Sequence, residues 1–367
     1  MNNPVRTRDS SAKFRIKWVL GIPKALIDQI DRLAYPRLIV PCVALLPARV
    51  AYGVALLHAD LKYTIEKKKY PKEIVLCLEL VFGDQLTSEE RNRAARDFYR
   101  TESCQKIDAM RLLGNGQALL KLVEIRGLEH LKTALADGKG AVLCSGHMGS
   151  PKSAFSVIGA LGFPVTLVAR WSYDPKDNQG SMRKLIYRLD KGNPITCHLH
   201  QPSIDRGSNI FAASQAAMVV RRNEVLGILI DGGVIKEDTS SPISVDFLNG
   251  KALLVPGPVT IAQLTGASLL VMVMRRSTDW RHQVLEISPV QVDTNSESTF
   301  KRCLAIVETA IRRYPGQWRG WSLAELAILG LVSPEKIGLQ RKDPGEIRTE
   351  DTMPANARGK RNTNLRE

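Results

Sequence analysis

The chain predicts an α/β fold: a mixed, largely parallel central sheet flanked by helices, with an N-terminal helical membrane-associating segment ahead of it. Two observations carry this. From Val123 to Tyr314, short apolar runs alternate with amphipathic stretches of helical length, the pattern of a sheet covered on both faces. Ahead of that alternation, Leu38 to Leu57 is the one apolar span of membrane-helix length.

In chain order, residues 1–36 form a basic lead with a short amphipathic element around Phe14 to Asp31. The lead has neither the apolar core nor the small-residue cleavage site of a secretory leader. Residues 37–110 read as a helical, membrane-associating region. Pro41, Pro47 and Arg49 interrupt the apolar span, which favours an interfacial or re-entrant segment over a clean crossing. A proline-kinked core helix is the alternative. Lys67-Lys68-Lys69 follows closely, placed to meet acidic headgroups. Thr87-Ser-Glu-Glu90 has capping-box spacing, and Arg91 to Arg100 continues a charged amphipathic helix.

The α/β domain spans residues 111–333. Its periodicity predicts strands over residues 123–126, 141–145, 165–170, 195–198, 225–230, 243–247, 267–274 and 284–287. Helices are expected over 128–136, 153–161, 181–189, 210–221, 258–264 and 300–314. Residues 334–367 are polar, charged and poor in apolar side chains, the composition of a disordered basic tail.

A formal charge of +15 and a pI near 9.6 point to an acidic partner. Nucleic acid, an anionic membrane surface and an acidic carrier protein share that signature. There is no zinc-finger, KH or RRM pattern and few aromatics lie among the basic residues, so nucleic acid is the weakest of the three. Cys42, Cys77, Cys104, Cys144, Cys197 and Cys303 form no Cys-x-x-Cys pair, which speaks against a zinc ribbon or a disulfide framework and for a reducing compartment. His198-Leu-His200 offers two imidazoles on one strand face. With no third ligand nearby it reads as surface histidines, and no metal site is expected.

The densest chemistry lies in Gly140-Ala-Val-Leu-Cys-Ser-Gly-His147-Met-Gly-Ser-Pro-Lys152. A buried strand ends at Gly146-His147, where open α/β sheets place their ligands. An imidazole titrates near working pH and suits a general base; a turn-closing or helix-capping histidine is the alternative. Asp231 ends the apolar run 225–230 at the same sheet edge and is the candidate carboxylate, with a strand-end turn aspartate before Gly232-Gly233 as the other reading. Asp246 is expected to pair with a cation. Arg170 and, less strongly, Arg183 suit bidentate binding of phosphate or carboxylate, against the alternative of surface ion pairs. Gly257-Pro258 opens a helix whose amides face forward to meet an anion.

Several segments, in this order, resemble one family. They are residues 123–147, Gly162-Phe-Pro-Val-Thr-Leu-Val-Ala-Arg170, Gly227-Ile-Leu-Ile-Asp231, Val245-Asp-Phe-Leu-Asn-Gly-Lys-Ala252, residues 257–267 and Arg275-Arg276. The chain resembles the bacterial late acyltransferases of lipid A synthesis, the lauroyl/myristoyl transferase family within the lysophospholipid acyltransferase superfamily, from about Leu45 to Trp321. The resemblance implies a glycerolipid-acyltransferase-like fold, His147 as general base, and an aspartate and an arginine at the positions of Asp231 and Arg170.

It also implies a membrane-associated enzyme that moves a fatty acyl group from acyl carrier protein or acyl-CoA to a hydroxyl of a lipid or glycolipid. The thioester is a co-substrate and no cofactor is implied. The place implied is the cytoplasmic face of the bacterial inner membrane, peripheral or single-anchor, against anionic lipid. Two positions depart from the family pattern. Lys152 stands where the family has a carboxylate five residues after the histidine, and Trp318-Arg-Gly-Trp-Ser-Leu replaces a His-Arg-Arg-like run. A lysine cannot orient an imidazole as an acid does, and its charge opposes the proton the base must accept. The alternative from a different class is therefore a catalytically altered or inactive member that binds lipid or carrier protein as a scaffold.

Overall fold

The computed structural model describes residues 40–66, 70–169, 198–200, 206–232, 242–333, 339–343 and 346–349. Its first layer is helical: α1 (Val40–Leu45), α2 (Ala48–Glu66), α3 (Tyr70–Phe82) and the long α4 (Ser88–Leu120). Pro47 separates α1 from α2, as its missing N–H requires. The capping box of α4 is formed: Glu90 N donates to Thr87 Oγ1 at 3.2 Å and Thr87 N to Glu90 Oε2 at 2.8 Å. The helix runs well past Arg100, because α2 and α3 pack along it. Among the described residues no helix is long and apolar enough to cross a membrane.

The sheet follows. Its elements are β1 (Val123–Arg126), α5 (Leu128–Ala136), β2 (Ala141–Ser145), α6 (Pro151–Ala160), β3 (Val165–Ala169), β4 (His198–His200), α7 (Arg206–Arg221) and β5 (Val225–Leu229). Then come β6 (Ile243–Phe247), β7 (Gly250–Leu254), α8 (Gly257–Thr265), β8 (Ser268–Arg276), β9 (Gln283–Val290), α9 (Ser296–Arg313) and α10 (Leu323–Leu329). Seven strands lie in the order β1-β9-β8-β2-β5-β3-β4. All neighbours pair parallel except β8 and β9, so the sheet is mixed and mostly parallel, as expected.

Both faces of the sheet are covered. Val142 and Cys144 of β2 join a core with Val219 of α7, Ala262 of α8 and Val307 of α9. Ala141 and Leu143 point the other way, into a core with Leu131 of α5 and Phe155 of α6. The two-residue strand period produces this split, and it is why all of β2 is buried.

The structure adds elements the periodicity does not show. β7 pairs antiparallel with β6 through a tight turn in which Leu248 and Asn249 both have positive φ. Its Gly-Lys-Ala start hides it in sequence. Asp246 does pair with a cation, Lys251, at 2.5 Å. α10 is short, held by Ser322 at its start and by Gly330, with φ 82°, at its end. α6 begins at Pro151, two residues before the expected start, since proline fits the first helical position.

Within the stretch read as a disordered tail, β10 (Leu339–Asp343) and β11 (Glu346–Thr349) pair antiparallel. The expected helices at 181–189 and around Phe14 to Asp31 lie outside the described residues.

Candidate active site

Register explains how the site assembles. β2 and β5 are parallel neighbours with Ser145 opposite Leu229, and Ile230 N extends the ladder to Ser145 O at 2.9 Å. Two residues beyond each member of that last pair stand His147 and Asp231. The chain positions are 84 apart, yet topology makes them adjacent at the carboxyl edge of the sheet.

The contact is specific. His147 Nδ1 lies 2.7 Å from Asp231 Oδ1, and the His147 backbone N–H donates to Asp231 Oδ2, also at 2.7 Å. The indole N–H of Trp318 donates to the same Oδ2 at 2.7 Å. An ionised carboxylate only accepts, so the proton between ring and acid is assigned to Nδ1. Nε2 then carries the lone pair, and among the described residues it makes no hydrogen bond.

Burial divides the two roles. The Asp231 side chain is fully enclosed, whereas that of His147 keeps 36% of its surface open. Burial pulls the imidazole's pKa down, but the Asp231 charge and hydrogen bond outweigh it and raise the pKa above the ordinary 6.5. Burial pushes Asp231 up, yet His147 and the Trp318 indole together hold it below the usual carboxylate range. The result is a buried anion behind a partly open base.

A second strand of chain braces the turn. Met148 and Trp318 form an antiparallel bridge, Gly149 N donates to Gln317 O at 2.8 Å, and Arg319 N donates to His147 O at 3.1 Å. Trp318 is buried edge-on to Trp321, with ring centroids 4.7 Å apart. Gly149 has φ +54° and sits so close to β8 that a Cβ would lie 2.3 Å from Met274 O.

Behind it, Gln317 Oε1 accepts from Arg276 N at 2.7 Å, and the Arg276 guanidinium bonds buried Asp108 of α4. Tyr52 OH also donates to Asp108, at 2.6 Å. On α4, Glu102 pairs with Arg319 at 3.0 Å and Gln105 donates to Gly149 O.

Of the residues singled out in sequence, the structure brings His147 and Asp231 together. Lys152 lies in the first turn of α6, and its side chain is outside the described residues, as are Arg170 and Arg183 entirely. Trp318 and its indole bond to Asp231 are missed by sequence reasoning, which notes the tryptophan only as the start of a departing run. No local signal announces a contact across the whole sheet domain. Among the described residues no group of three or more potential metal ligands gathers.

A partly open imidazole backed by a buried carboxylate, at the carboxyl ends of two parallel strands, defines an α/β protein equipped for general-base chemistry. The family model of the bacterial lipid A biosynthesis acyltransferase matches residues 38–321, and the chain belongs to that family. Membership implies acyl transfer to a lipid acceptor and association with the inner membrane. No curated protein matches the chain.

Proposed function

We propose that this protein is an active O-acyltransferase that moves a fatty acyl group from an acyl carrier protein or acyl-CoA thioester to a lipid or glycolipid hydroxyl. The reaction takes place at the cytoplasmic face of the inner membrane. The observation that carries this reading is the His147–Asp231 pair, with Nε2 making no hydrogen bond among the described residues.

Nε2 removes the acceptor's hydroxyl proton as that oxygen attacks the thioester carbonyl. The tetrahedral adduct collapses, the C–S bond breaks, and the imidazolium returns its proton to the leaving thiolate. The products are an ester and a free thiol. Asp231 stays ionised throughout, holding the Nδ1 tautomer and stabilising the transient cation.

The scaffold reading loses its main motive here. It rests on Lys152 in place of a carboxylate, and Asp231 supplies a carboxylate from the neighbouring strand. The +15 charge suits both an acidic carrier and anionic lipid. Arg170 and Arg183 remain proposed holders of a substrate phosphate.

The test is transfer of a radiolabelled acyl group from carrier protein to membrane lipid extract. Wild type labels a lipid, His147→Ala loses about a thousandfold or more in rate, and Lys152→Glu gains little. A silent wild type rescued by Lys152→Glu would establish the scaffold instead.

A further inference from the structure

Directly opposite the base stands a cation that the acid–base steps do not use. The antiparallel bridge between Met148 and Trp318 sets His147 against Arg319, and the Arg319 backbone N–H donates to His147 O at 3.1 Å. Residues facing each other across an antiparallel pair put their side chains on one face, with Cβ atoms about 5 Å apart. Met148 and Trp318, the neighbouring pair, point the other way and are each 1% exposed. The open face is left to His147 and Arg319, whose side chains keep 36% and 48% of their surface exposed.

The guanidinium is anchored yet unsaturated. Its Nε lies 3.0 Å from Glu102 Oε1 of α4, close enough for an ion pair. The two atoms are not aligned as a hydrogen bond, and Glu102 Oε1 has no hydrogen-bond partner among the described residues. Nor does any guanidinium N–H of Arg319 make a hydrogen bond among them. A partly exposed ion pair of this kind is weakly held, so an arriving anion can take the fork from Glu102.

Chemistry selects that anion. A guanidinium fork fits two oxygens of a phosphate. The thioester donor carries a phosphate on its phosphopantetheine arm, and a phospholipid or phosphorylated glycolipid acceptor carries one in its headgroup. The setting of the base favours the same ligand. Burial pulls the His147 pKa down, Asp231 raises it, Arg319 lowers it, and Glu325 of α10 raises it again. An anion seated on Arg319 cancels a charge that opposes the proton His147 must accept.

We propose that Arg319 binds a phosphate ester of the substrate, seating it beside His147 in place of Glu102. The proposal rests on the acyl-transfer reading in taking the ligand to be that reaction's donor or acceptor, and it is separate from the roles of Arg170 and Arg183. It gives both residues of the Trp318-Arg319 step a task. The tryptophan turns in to hold Asp231, and the arginine turns out to meet substrate.

The test is an NMR titration of the His147 ring in the full chain with isotope-labelled histidines, the signal being assigned by its loss in His147→Ala. The probes are phosphopantetheine, monomeric dihexanoyl phosphatidic acid, and pantetheine, which lacks the phosphate. In wild type a phosphate probe raises the His147 pKa and pantetheine does not. The probe that does so tells the donor's phosphate from the lipid's. In Arg319→Gln the pKa without probe is higher, because a cation is gone, and the probe binds about tenfold more weakly or worse. Arg319→Lys keeps the charge, loses the fork and falls between the two. The thermal transition of both variants holds, since the backbone bond to His147 O survives either substitution. A wild-type ring that neither phosphate probe shifts overturns the proposal, as does an equal shift by pantetheine or an Arg319→Gln variant that binds like wild type. Acyl transfer that falls in Arg319→Gln while probe affinity stays constant assigns the arginine to the reaction's oxyanion and also overturns it. The titration transfers no acyl group, so its failure and a failure of acyl transfer are separate results.

Discussion

The indole of Trp318 holds the carboxylate of Asp231 across 87 positions of chain, by an N–H···O bond of 2.7 Å. Asp231 thereby has three donors, two on Oδ2 and the His147 ring on Oδ1. A carboxylate so fully engaged cannot rotate away from the imidazole.

Replacing Trp318 by Phe keeps a ring against Trp321 and removes the donor. A lost hydrogen bond to a buried charge costs about 1.5–3 kcal/mol, read as a lower denaturant midpoint. With one donor fewer, Asp231 becomes more basic and holds the His147 cation more strongly. The rising limb of the activity–pH profile therefore moves to higher pH. A variant whose limb stays in place would show that the indole packs without tuning the pair.

Under the proposed mechanism the base works when His147 is neutral, so activity is expected to rise with pH through a pKa above the ordinary 6.5. Asp231→Asn removes that elevation and lets the amide donate to Nδ1, leaving the proton on Nε2. Turnover is expected to fall about 10³–10⁴-fold. Stability follows the same linkage. A histidine pKa raised by folding contributes stability that is complete below the unfolded pKa and is lost as pH rises through the folded value. Equilibrium unfolding at a series of pH values shows that trend in wild type, and the trend vanishes in the Asn variant.

Gly149 is a third test, since it lies in the brace and outside the chemistry. Alanine there needs a left-handed φ and puts its Cβ into the Met274 carbonyl. We expect a loss of about 2–4 kcal/mol in unfolding free energy, with acyl transfer falling in step as the His147 turn shifts. Alanine tolerated within 1 kcal/mol would mean that β8 yields freely at this point.

Local physics made much of the fold legible. β1, α5, β2 and β6 fall where periodicity places them, because a two-residue or 3.6-residue apolar repeat is a property of neighbouring positions. β7 and α10 escape for the converse reason. The former has weak β-formers at its start and is held by its turn and partner, and the latter is brief and depends on its caps. The capping box at Thr87 was readable because all of its atoms lie within four residues.

For the site, the sequence by itself determined that His147 and Asp231 each end a buried apolar run, and that a basic, partly apolar helical region precedes the sheet. Only the tertiary structure decided that β2 and β5 are neighbours in register, that Trp318 closes the back of the pair, and that Arg319 stands opposite His147. The reason is one of range. Strand ends and helical stripes are written in consecutive residues, whereas strand order, and the face a helix hides, are settled by which distant surfaces bury best against each other.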